Sequence, residues 1–200
     1  MANGPSFIQT VTPAIIGLIG VGVGGALTTW RERSTEKRIE IKDAALLAAV
    51  IGGELDGFIA ACNEVVQDDG ETNPDTGFWE ETTATPTFDP SKYDVEWRSI
   101  HEKIMFDIHD LPYQISFSNG AIRAVGEHDS PPDFSDWFQE RQYQYARLGL
   151  HCLDILERLR GSAKLVPRPK TYEWNPRQIF QDKIEAIELR KAESQGSGST

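Results

Sequence analysis

The first pattern along the chain is a run from Phe7 to Thr29 without a charged side chain. Coiled into a helix, such a run is long enough to cross a bilayer core of about 30 Å. Gln9, Thr10 and Thr12 fall at its start, where polar groups stay hydrated, and Trp30 closes it as an interfacial aromatic. Pro13 lies in the first turns, where its missing N–H is tolerated. Residues 7–30 therefore predict a transmembrane helix, after a short extracytoplasmic N-terminus of residues 1–6. A charged segment, residues 31–43, predicts a solvated helical stem. Beyond it Leu47, Ile51, Leu55, Phe58, Cys62 and Val66 recur every three or four residues, the stripe of a helix that enters a core. "AALLAAVIGG" is too short for a second span. Gly52, Gly53 and Gly57 each cost a helix about 1 kcal/mol, which points to another helix packing closely there.

Turn-forming residues crowd residues 67–91, a long loop that Phe78, Trp79 and Phe88 are expected to pin down. A helix with Val95, Ile100, Ile104 and Ile108 on its apolar positions follows. Pro112 kinks or interrupts it, and a further helix with Ile115, Asn119 and Ile122 ends at "DSPPD". The clearest soluble helix places Trp137, Arg141, Tyr145, Leu148, Cys152, Ile155 and Leu159 on one face. Ser135 or Asp133 caps its start and Gly161 its end. "PRPKTYEWNP" predicts a rigid linker, and Pro176 opens a last helix with Ile179, Ile184 and Ile187. The expected fold is all-α: an N-terminal transmembrane helix continuing into a cytosolic antiparallel bundle of four or five helices, residues 44–193, with a flexible tail, 194–200.

Charge sharpens this picture. The net charge of −11 argues against nucleic acid as a partner, because affinity for phosphates needs clustered Lys and Arg. Nine acids stand against Lys92 alone between Asp68 and Glu96. Arg31, Arg33, Lys37 and Arg38 flank the span on its C-terminal side, and neither Lys nor Arg precedes it. The positive-inside rule then puts the N-terminus outside and the body in the cytoplasm.

The span also contains G-x-G-x-x-G at Gly20, Gly22 and Gly25, the spacing of a dinucleotide-binding turn. That fold needs several further buried strands, and after Asp43 only "YQISFS" and "KLVP" offer themselves. Read as helix, Gly17, Gly20 and Gly24 instead form a small-residue face that lets a second copy approach. The expected partners are thus the lipid bilayer through residues 7–30, a second copy through the glycine face, and a cytosolic protein.

Chemistry-bearing patterns are sparse. His101 and His109 are too far apart on one helix to share a metal, and "DDGETNPDTG" misses the EF-hand spacing, so neither a metal nor a cofactor is expected. Cys62 and Cys152 lie in apolar patterns and fit buried, reduced thiols. Arg141 interrupts an apolar stripe, and a buried guanidinium needs a carboxylate. Glu54, between Ile51 and Phe58, is the candidate partner. The pair reads as a structural ion pair, or, with Tyr145 and His151, as the wall of a pocket for a small anionic ligand. The first reading gives a non-enzymatic scaffold or interaction module, the second a membrane-tethered ligand sensor or cryptic enzyme.

The segments "WRER", "LDGFIAAC", "ISFSNGAIRAV", "SPPDF" and "WFQERQYQYARLGLHCLDI" together resemble a family of uncharacterised bacterial membrane-anchored helical proteins. The resemblance implies a bacterial inner-membrane setting and carries no activity or site residue with it.

Overall fold

The structure is a computed structural model that describes the backbone of residues 7–165 and 174–197, and the side chains of residue 35, 37–165 and 174–194. Four α-helices dominate these residues: α1 (Phe7–Gln67), α2 (Glu102–Gly126), α3 (Ser135–Ser162) and α4 (Pro176–Ser197). The only strands among them are a two-residue antiparallel pair, β1 (Glu71–Thr72) with β2 (Trp79–Glu80). The chain divides into two units, residues 1–43 and 44–200.

In the first unit the backbone is helical from Phe7, so Gly20, Gly22 and Gly25 lie inside a helix and form no strand-to-helix turn. The dinucleotide geometry is absent there. The packing of the Gly17, Gly20 and Gly24 face lies outside the described residues, as do residues 1–6, 166–173 of the linker and the end of the tail.

The second unit is built on one apolar core. Leu47, Ile51, Leu55, Phe58, Cys62 and Val66 of α1 are all buried in it, together with Ile104, Ile108, Leu111, Ile115 and Ile122 of α2. From α3 come Tyr145, Leu148, Cys152, Ile155 and Leu159, and from α4 Phe180. Among the described residues one helical stretch, Lys37–Gln67, is long and apolar enough to cross a membrane by length and composition. Its stripe of large side chains is the part of α1 that fills this core.

Paired residues set the running directions. Arg141 meets Asp68 and Arg160 meets Asp56; Tyr145 meets Asn119 and Arg158 meets Asp107; Lys191 meets Glu140 and Arg177 meets Asp154. In each case position rises on α3 as it falls on the other element, so within the second unit α3 runs opposite to residues 44–67 of α1, to α2 and to α4. Sequential neighbours were expected to run antiparallel, but residues 44–67 and α2 share one direction, and the long loop between them returns the chain to its starting end.

Several local expectations need correction. The helix foreseen at Val95 starts only at Glu102, capped by His101, whose Nδ1 accepts from the Lys103 N–H at 3.1 Å. Two short 3-10 turns, Pro90–Lys92 and Trp97–Ser99, precede it. Pro112 neither breaks nor ends α2, although it removes a backbone donor, because Ile108, Leu111 and Ile115 are held in the core on both sides of it. Among the described residues the helices number four, within the four or five expected. At the start of α3 the cap is Phe134, in the left-handed region (φ 47°) and without a side-chain hydrogen bond. The Asp129 carboxylate takes over the capping role, accepting from the Trp137 N–H at 2.7 Å. Gly161 lies within the last turn of α3, which ends at Ser162.

The glycines behave differently from expectation as well. A Cβ at Gly52 would rest against Leu156 at 3.4 Å, but at Gly53 and Gly57 it would meet open space. Close approach occurs instead at Gly149, where the Phe180 ring fills the place of a side chain, and at Gly126, where Trp137 does so.

Candidate functional site

The most highly connected polar group in the core is the Asp68 carboxylate, one residue beyond α1. Its side chain is fully buried, as is that of Arg141 at 2% exposure, and the Arg141 Nη1 donates to Asp68 Oδ2 at 2.8 Å. The hydroxyls of Thr82 and Thr83 donate to it at 2.7 and 2.8 Å, and the backbone N–H groups of Gly70, Thr82 and Thr83 complete the shell. Burial acts to raise the Asp68 pKa, but the donors from Thr82, Thr83, Arg141 and Gly70 outweigh it and hold the group well below the usual carboxylate range.

Arg141 is equally committed. Its Nη2 donates to the Thr83 carbonyl at 2.7 Å and to the Thr83 hydroxyl at 3.2 Å, while the guanidinium carbon lies 5.6 Å from the Trp137 ring centroid. Gln142 extends the network, donating to the Asp68 carbonyl and the Asp69 carboxylate, both at 2.9 Å, and accepting from Lys183 of α4 at 3.3 Å. These bonds tie the acidic loop to α3 and α4. Both Nη atoms of Arg141 are engaged, while its Nε is buried without a hydrogen-bond partner.

The four residues read from the sequence as one pocket are not brought together. Glu54 is exposed on α1 and hydrogen-bonded to Tyr93, so the carboxylate that serves Arg141 is Asp68 and not Glu54. The Tyr145 hydroxyl donates to Asn119 Oδ1 at 2.8 Å, and burial pushes its pKa up to about 12. His151 faces α2, with its Nε2 3.4 Å from Gln114 Nε2. Cys62 and Cys152 are free and buried; burial raises both thiols, Cys152 to about 12. Among the described residues no group of three His, Cys, Asp or Glu side chains is placed to hold a metal. His109 packs against Trp97 with the rings tilted by 58° and their centroids 4.4 Å apart, and His101 serves as a helix cap.

The outer face of α2 was missed by the sequence reading. Phe106, Tyr113 and Phe117 stand 65%, 68% and 68% exposed, although the opposite face of the same helix is core. Beside them a groove of about 380 Å³ runs between α2 and α3, lined by Tyr113, Gln114, Phe117, Arg147, Leu148 and His151. These large aromatic side chains lie on one solvent-facing side of the helix. The signal in the sequence was a second apolar stripe on the same helix, offset from Ile104, Ile108, Leu111 and Ile115.

No family model, curated protein or solved structure matches this chain.

Proposed function

We propose that this protein is a single-pass membrane protein whose helical bundle, residues 44–193, acts as a protein-interaction module in the cytoplasm of a bacterium. Residues 7–30 cross the inner membrane with the N-terminus outside. The uncharged run, its interfacial Trp30 and the basic flank of Arg31, Arg33, Lys37 and Arg38 support the anchor and its orientation. The resemblance to membrane-anchored helical proteins agrees with that setting.

The observation that carries the interaction reading is the exposed aromatic stripe of α2, Phe106, Tyr113 and Phe117, on a helix whose other face is fully used by the core. Such side chains cost solubility unless a surface covers them. Against a sensor stands the engagement of both Nη atoms of Arg141 by Asp68 and Thr83, with Glu54 paired elsewhere.

The experiment is site-specific photo-crosslinking in membranes from cells expressing the full chain. A photoreactive residue at Tyr113 or Phe117 is expected to form discrete adducts, and one at the exposed Glu157 of α3 is expected to form none. Adducts at Glu157 alone, or at no position, overturn the reading.

A further inference from the structure

A cavity of about 570 Å³ lies between the end of α2, the start of α3 and β2, a volume in the range of small-molecule sites. Three aromatic side chains, Trp79, Phe134 and Trp137, line it together with Glu80, Glu81 and Glu127 and a single cation, Arg123. The rings are partly sheltered, since Phe134 and Trp137 are half-buried and Trp79 is 38% exposed, whereas all four charged residues are exposed. None of Glu54, Arg141, Tyr145 and His151 belongs to this wall.

Each ring is held in place by its surroundings. Phe134 stands at φ 47°, in the backbone region that favours glycine, with its ring edge-on to Phe78 at 6.0 Å. Trp137 abuts Gly126, where a Cβ would meet the indole, and packs edge-on against Phe138 at 4.8 Å. Trp79 pairs with Thr72 across the small hairpin, and its N–H donates to the Pro132 carbonyl at 2.9 Å. A ligand that uses these rings therefore pays little to order them.

The wall carries three carboxylates against one guanidinium. Glu80 accepts from the Asn73 side chain at 2.8 Å, and Glu81 and Glu127 stand in no ion pair among the described residues. The Arg141 guanidinium, 5.6 Å from the Trp137 ring centroid, is balanced by Asp68 and does not reverse that sign. Aromatic faces attract a cation but replace few of its hydrogen bonds to water. A metal ion or a primary ammonium would lose a tightly held hydration shell against such a wall, whereas an alkylated ammonium presents methyl groups to the rings and keeps its charge near the carboxylates. We propose that this cavity binds a small quaternary ammonium ion, seated on Trp79, Phe134 and Trp137 with Glu80, Glu81 and Glu127 as its counter-charge. The site lies wholly within the second unit and apart from Phe106, Tyr113 and Phe117, so it stands or falls independently of the interaction reading.

The test is titration calorimetry on the full chain in a maltoside detergent, with melting curves as a control for folding. The probes are choline, its uncharged isostere neohexyl alcohol, and phosphocholine, which stands for a lipid headgroup. Choline is expected to bind saturably at millimolar concentration or below, at least about tenfold tighter than neohexyl alcohol and tighter than phosphocholine, whose phosphate meets the carboxylates. Trp79→Ala is expected to weaken choline about tenfold or more, and Trp79→Phe, which keeps an aromatic face, by about threefold or less. Glu81→Gln combined with Glu127→Gln is expected to weaken it about threefold or more, while Phe106→Ala on the outer face of α2 leaves the affinity unchanged. No saturable binding to the folded chain, equal affinity for neohexyl alcohol, or tighter binding of phosphocholine overturns the assignment. So does a choline affinity that neither Trp79→Ala nor the double glutamine variant alters.

Discussion

Arg141 and Asp68, 73 positions apart, meet at 2.8 Å with both side chains closed off from solvent. Their meeting fastens the end of α1 and the start of the acidic loop to the middle of α3. Removing one member leaves the other charge buried without its counterion, which costs about 3–5 kcal/mol. Arg141→Met is expected to lower unfolding stability by that amount, measured by urea denaturation. Adding Asp68→Asn is expected to recover part of the loss, because the remaining amide still uses the Thr82 and Thr83 donors. Equal losses in the single and double variants would show that the pair does not act as a unit.

Asp68 also sets a dependence on pH. Its pKa in the folded chain lies below the unfolded value of about 3.9. The stability it contributes is thus fully present above about pH 4 and is lost as pH falls through the folded value. The stability gap between wild type and Asp68→Asn is expected to stay constant from pH 7 to pH 5 and to narrow at pH 3. A gap that widens toward acid would contradict the assignment.

Two glycines of similar sequence context are expected to respond in opposite ways. At Gly149 a methyl group would enter the space held by the buried Phe180 ring, so Gly149→Ala is expected to cost about 1–3 kcal/mol. At Gly53 nothing lies near, and Gly53→Ala is expected to add about 0.5–1 kcal/mol through helix propensity. Thermal melts of the two variants distinguish these outcomes.

Cys62 and Cys152 are expected to resist thiol reagents in the native state, since both are buried and their thiols are shifted away from the reactive thiolate. Labelling is expected to appear only with denaturant. Rapid labelling of the folded chain would show that the α1–α3 contact opens.

How much of this was legible in the sequence follows from the kind of information each contact needs. The stripes from Leu47 to Val66 and from Tyr145 to Leu159 are periodic, and period alone shows which side chains enter the core. Arg141 announced its need for a carboxylate by standing in such a stripe. Its partner was misplaced because Glu54 shares a helix face with core residues, whereas Asp68 lies just past the helix end, among nine acids that spacing cannot rank. Pro112 signalled a break, but two turns of buried isoleucine and leucine around it outweigh one lost hydrogen bond. The left-handed Phe134 cap was invisible, since only its neighbours hold that conformation: the Phe134 ring packs edge-on against Phe78 at 6.0 Å, and Trp79 N–H donates to the Pro132 carbonyl at 2.9 Å. The exposed aromatic side chains of α2, Phe106, Tyr113 and Phe117, were present in the sequence and lost beneath the stronger stripe on the same helix.

Where this protein acts depends on residues 7–30, and the most direct measurement is cysteine accessibility at the two ends of the full chain in intact bacterial spheroplasts. The buried native thiols leave the background low. A membrane-impermeant maleimide is expected to label Asn3→Cys in intact cells and Ser199→Cys only after lysis. Labelling of Ser199→Cys in intact cells, or protection of both positions until lysis, would contradict a single N-out span with its helical domain in the cytoplasm.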